Sequence, residues 1–329
     1  MLSRLYENKI GVLFLVLILM IGIRVLAFQF LQTQLTAPKV AGILGPYLVQ
    51  LHRYSWLSFG LSTLVVLFEG LLLNRICLDF NILERPGYSV LFFYVLLNSS
   101  FTGSFALNHI HLGLFFVLWG IFFLYRFIQQ NFQKSQLFVA SFFLGISAIC
   151  VAEFYWSIIL LVGSVLFFKP IKAADVAVIV FGLFMPYYLV SSLGYLTSAS
   201  IDFMTAWKIW IVKYEPVDFK WLSNGWDLLL ILSFSLIAVF GLMKFYGNYY
   251  RYNVETRRSK LAMSVISGYL ILVFLFRAKE YPVYFSTLVV PMSIYLSNYF
   301  QGDKLKFWKN LTALMLLAYW IWNIANQLM

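Results

Sequence analysis

The turn Phe276-Arg277-Ala278-Lys279-Glu280-Tyr281-Pro282 places two cations, a carboxylate and a proline side by side. Proline suits the first turn of a helix, so a helix is predicted to begin here with its free N–H groups and positive dipole end beside Arg277 and Lys279. That combination is chemistry for holding a phosphate. The same residues also make an ordinary helix start, in which Arg277 pairs with Glu280 three residues on. Both readings stand.

Other ionisable side chains fall at the ends of apolar stretches, and four parts of the chain contribute them. His52 and Arg53 close the first loop, and His109 and His111 open a span. Glu153, Tyr155 and Trp156 occupy a tight turn, and the 277–282 segment is the fourth. Glu153 or Glu280 would serve as general base on an acceptor, with His109 or His111 assisting. Arg24, Arg53, Arg277 and Lys279 would hold an anionic substrate, with Tyr155 and Trp156 beside it. Arg24 and Glu69 lie inside apolar stretches, where charge is costly. Arg24 either snorkels outwards or serves this set, and Glu69 is read as structural, pairing with Arg75 or a buried donor. His109 and His111 point about 200° apart on a helix, and no further ligands complete a metal set, so no metal or cofactor is expected.

The elements that must position these residues are membrane spans. Apolar stretches of the required length, about 20 residues or fewer where protein buries part of them, occur near 10–31, 55–73, 88–98, 108–127, 136–151, 154–168, 176–194, 227–243, 261–276, 281–300 and 310–328. The third is short and the fifth and sixth nearly touch, as broken or re-entrant segments do where other helices bury them. Alternating the loops from a cytoplasmic N-terminus tests this map. Of 24 Lys and Arg, sixteen fall inside, and Lys39, Arg53, Lys208, Lys213, Lys220, Arg277 and Lys279 fall outside, with Arg24 in a span. The excess inside is the expected bias, and it puts the C-terminus outside. Residues 1–329 thus read as one all-α polytopic transmembrane bundle of about 11 spans. Within it, 195–226 is a long outer loop whose Trp- and Lys-bearing stretch around Trp207 and Trp210 forms an interfacial helix.

Composition excludes the alternatives. Hydrophobic residues are 62% and charged residues 11%, too little charge to solvate a soluble globule of this length. The net charge of +11 is scattered in short loops, which argues against nucleic acid and for contact with anionic lipid, above all at 251–260. The first stretch follows Arg4 and Lys9 without a small-x-small cleavage site and reads as a retained anchor. Cys77 and Cys150 fall near opposite faces and are expected to be free thiols. No nucleotide loop, nucleophile elbow or zinc-protease helix is present.

The segment from Arg277 to Phe285, with Pro291 to Phe300, resembles a family of Bacteroidota membrane proteins of unknown function. So does Asn108 to Trp156, with its Asn before the fourth span and its Phe-Tyr-Trp cluster. The likeness implies an inner-membrane location. In the order Lys279, Tyr281, apolar run, Pro291, the chain also resembles integral-membrane glycosyltransferases that use polyprenyl-phosphate sugars. That likeness implies outer-face catalysis on a lipid phosphate. Those enzymes usually carry a carboxylate in the first outer loop, and residues 32–54 contain none, so Glu153 or Glu280 would take its place. Two further functions stand beside this one: a non-catalytic subunit of an envelope complex, and a small-molecule transporter.

Overall fold

A computed structural model of the protein describes residues 10–31, 48, 50–51, 54–83, 87–100, 104–196, 225–247, 250, 252–276 and 281–301. Among these residues the regular structure is helical, without strands. It comprises α1 (Ile10–Leu31), α2 (Ser55–Asp79), α3 (Ser89–Asn98), α4 (His109–Gln129) and α5 (Lys134–Cys150). A 3₁₀ turn (Ala152–Trp156) follows, then α6 (Ser157–Phe168), α7 (Ala173–Leu196), α8 (Gly225–Gly247), α9 (Val254–Phe276) and α10 (Tyr281–Phe300). The ten helices coincide with the first ten apolar stretches; the eleventh, 310–328, lies outside the described residues, as does 197–224 with its expected interfacial helix. Four of them, α2, α4, α7 and α9, are long and apolar enough to cross a membrane. The protein is an α-helical membrane bundle.

Helix α4 is the hub. Its apolar stretch is 67% buried, against 17% for α7, and it packs on α2, α5, α9 and α10. Lipid is as apolar as leucine, so association of such helices rests on close packing and hydrogen bonds rather than on hydrophobic transfer. Both devices are visible. Gly145 of α5 lies against the α7 backbone, where an added Cβ would stand 2.6 Å from the Leu183 carbonyl oxygen; one at Gly182 would stand 2.9 Å from that of Phe138. Asn298 of α10 donates from Nδ2 to the Gly241 carbonyl of α8 at 3.0 Å, and Lys244 donates to the Asn298 carbonyl at 2.6 Å. Both cysteines are free and buried.

The short third span has a physical consequence. At 1.5 Å per residue, α3 covers only about 15 Å, roughly half of a hydrocarbon core. The described residues beyond it stay inside protein: Ser99, Ser100, Ser104 and Asn108 are all buried. Its backbone is satisfied by α2, since the Leu107 amide donates to Ser58 Oγ at 3.1 Å and the Ser104 carbonyl accepts from Ser62 at 2.6 Å. Irregular backbone at this depth is tolerated only on such terms. Asn108 then caps α4 by accepting the His111 amide at 2.9 Å, which fixes where His109 and His111 enter the bundle.

Candidate functional site: a buried polar relay in the bundle

Helix α2 carries Ser58, Ser62 and Glu69 at spacings that put them along one face, and each reaches a different part of the same polar seam. At one end of the seam stands Arg24 of α1. The guanidinium is fully buried. It donates to Thr63 Oγ1 at 3.1 Å, Ser62 Oγ at 3.2 Å and the Ser104 carbonyl at 2.8 Å. The Phe105 ring lies 5.1 Å from its central carbon and the Phe59 ring 6.0 Å, both on the same cation. All three acceptors are neutral, and Nη1 has no partner among the described residues.

Two turns deeper along α2 is Glu69, also fully buried. Tyr94 of α3 donates its hydroxyl to Glu69 Oε2 at 2.9 Å, and His111 Nδ1 lies 3.1 Å from the same oxygen. On the far side of the ring, Ser286 Oγ of α10 lies 3.4 Å from His111 Nε2. The donors can converge on the carboxylate from both sides. If Nδ1–H points at the carboxylate, Nε2 is left as an acceptor for the Ser286 hydroxyl. Four helices therefore contribute one chain of groups: phenol, carboxylate, imidazole, hydroxyl. Arg24 is within electrostatic reach of Glu69 and Tyr94, which joins the cation to this chain.

A neighbouring cluster forms around the same end of α10. The Tyr284 hydroxyl donates to Glu153 Oε2 of the 3₁₀ turn at 2.9 Å, and the His109 ring meets Tyr284 edge-on at 6.3 Å. Tyr269 of α9 donates to the Phe154 carbonyl at 3.4 Å and closes the floor of that turn. Tyr155 and Trp156 are exposed rather than part of the cluster, and Trp156 stacks on Phe276 at 5.4 Å.

The expected site residues thus divide. His109 and Glu153 meet at Tyr284, His111 joins Glu69 and Ser286, and Arg24 sits between α1, α2 and the segment after α3. Arg53, Arg277, Lys279 and Glu280 lie outside the described residues. Glu69 does find a buried donor, whereas Arg75 pairs with Asp79 at 3.3 Å instead. Glu69, Tyr94 and Ser286 were not among the site residues read from the sequence. The signal for Glu69 was present, an ionisable side chain well inside an apolar span; nothing marked one serine or one tyrosine among so many. The chain matches no family model, no curated protein and no solved structure.

Proposed function

We propose that this protein is an inner-membrane protein of about eleven spans, N-terminus inside and C-terminus outside, that binds a phosphate-bearing lipid in the outer half of its bundle and transfers a group from it. A polyprenyl-phosphate sugar is the donor that the glycosyltransferase resemblance implies. The observation that carries the reading is Arg24: a fully buried guanidinium whose partners are all neutral oxygens and whose Nη1 is unpartnered among the described residues. A buried cation hydrogen-bonded only to neutral groups is costly, and an anionic ligand in direct contact is what lowers that cost. Arginine's fork suits a phosphate better than a lysine would. Glu153, held by Tyr284, and His109 beside it supply proton-accepting groups at the same end of the bundle.

The experiment is lipid binding by the purified protein in micelles, with polyprenyl monophosphate as ligand and inorganic phosphate as the second arm. Wild type should bind the lipid and not the free ion. Arg24→Gln should weaken binding about 10- to 100-fold, the equivalent of one charge-assisted contact of about 1.5–3 kcal/mol. Unchanged affinity in a folded Arg24→Gln protein would remove the phosphate reading.

A role as non-catalytic subunit of an envelope complex is the second reading. What favours it is α7, which packs chiefly on α5 and turns Phe181, Phe184, Tyr188 and Tyr195 outwards. Stoichiometric copurification with larger envelope proteins, retained by Arg24→Gln, is the result that would choose it.

A further inference from the structure

Ser286 directs its hydroxyl across a helix contact rather than back into its own helix. In helices a serine or threonine usually satisfies itself by bonding back to a carbonyl three or four residues earlier. Ser99, Ser100, Ser141 and Ser267 do so, at 2.7–3.1 Å, and Thr287 and Ser293 do so beside Ser286 itself. Among the described residues Ser286 makes no such bond; its partner is His111 Nε2. The imidazole is held on its other nitrogen by Glu69, and Glu69 is held by Tyr94. Hydroxyl, imidazole and carboxylate in this order are recognised as a nucleophile, its base and the group that orients the base, whatever the fold.

We infer that Ser286 is a nucleophile activated by His111 and Glu69, and that it takes an acyl group from the ester of a membrane phospholipid. The Ser286 oxygen attacks the ester carbonyl carbon while its proton passes to His111 Nε2. Collapse of the tetrahedral intermediate breaks the acyl C–O bond, and the lysolipid alcohol leaves with that proton. A hydroxyl acceptor then attacks the acyl-serine, gives its proton to His111, and the proton returns to Ser286 as the acyl group departs. His111 is fully buried and Ser286 is 3% exposed, which keeps bulk water from the acyl-serine and favours transfer over hydrolysis. The phospholipid identity rests on the reading of Arg24 as a lipid-phosphate site, with a glycerophospholipid rather than a polyprenyl phosphate as the lipid. Thr63, which holds Arg24, and Glu69 are six residues apart on α2, about 9 Å along the axis, a separation that the headgroup linkage of one lipid bridges. The nucleophile does not depend on that reading.

The test is covalent labelling of the full-length protein in micelles with an alkyl fluorophosphonate, followed by intact mass and peptide mapping. One adduct on Ser286 is expected. Ser286→Ala should give none, and His111→Gln should slow labelling by on the order of 1000-fold. Glu69→Gln should slow it at least 10-fold, and serves as the readout if His111→Gln does not fold. Absence of an adduct on folded wild type, or a labelling rate indifferent to both His111 and Glu69, overturns the inference. If Arg24→Gln binds polyprenyl phosphate as tightly as wild type while wild type is labelled at Ser286, the phosphate reading falls and the nucleophile stands.

Discussion

Glu69 offers a quantitative check on the relay that needs no substrate. Two donors converge on its Oε2, from Tyr94 at 2.9 Å and His111 at 3.1 Å. Hydrogen bonds to an ionised acceptor contribute about 1.5–3 kcal/mol each, roughly twice the neutral value. Glu69→Gln keeps the shape and one acceptor oxygen but not the charge, so about half of both bonds is lost, roughly 1.5–3 kcal/mol in all. Glu69→Ala strands the phenol and the imidazole N–H in an apolar core and leaves a void, for about 3–6 kcal/mol. Tyr94→Phe removes one donor, so the double substitution with Glu69→Gln should be less damaging than the sum by about 1 kcal/mol. Equilibrium unfolding in mixed micelles, followed by tryptophan fluorescence, reads all four proteins. The reasoning is refuted if Glu69→Ala costs no more than Glu69→Gln, or if the cycle is additive within about 0.3 kcal/mol.

Gly145→Ala should destabilise by about 1–3 kcal/mol, because its Cβ would stand 2.6 Å from the Leu183 carbonyl oxygen and backbone cannot step aside as a side chain can; Gly22→Ala, with open space around it, is the control in the same unfolding assay. Cys77 and Cys150, both buried and free, should resist a bulky maleimide in the folded protein and both react on unfolding, read by intact mass. Reporter fusions at Ser135, Lys220, Arg258 and Met329 should read in, out, in, out; a cytoplasmic signal at Met329 would take one span from the map.

The helices were legible because hydropathy alone marks them. The relay was not, and the reason is geometric. His111 stands at an outer helix start in the sequence and Glu69 late in its span, which puts them at different depths if every span crosses fully. Helix α3 stops after ten residues and Ser104 and Leu107 bond to α2, so the start of α4 enters the bundle level with Glu69. Hydropathy gives the length of a segment and not the depth at which its neighbour begins. Helical geometry did separate the two histidines: His109 meets Tyr284 and His111 meets Glu69 and Ser286. Tyr284 and Ser286 are themselves two apart on α10, so each histidine finds its own partner across one helix contact.

Ion pairs elsewhere sit at helix ends, as with Arg75 and Asp79 at 3.3 Å or Lys169 and Asp175 at 3.0 Å, and the buried Lys260 donates to the Phe245 carbonyl at 3.0 Å. Arg24 and Glu69 differ from these. Each is fully buried, each keeps one polar atom without a partner among the described residues, Nη1 and Oε1, and the two are within electrostatic reach of one another. Stability does not require the arrangement, since apolar side chains of similar volume in place of buried charges often leave a fold as stable or more so. Violations of local rules that cluster in one place mark where a protein trades stability for chemistry. Here they bracket the seam between α1, α2, α3 and α4, with the Ser286 hydroxyl at one end and, at the other, a guanidinium nitrogen without a partner among the described residues. A ligand that places an anion at one and a carbonyl at the other would satisfy both.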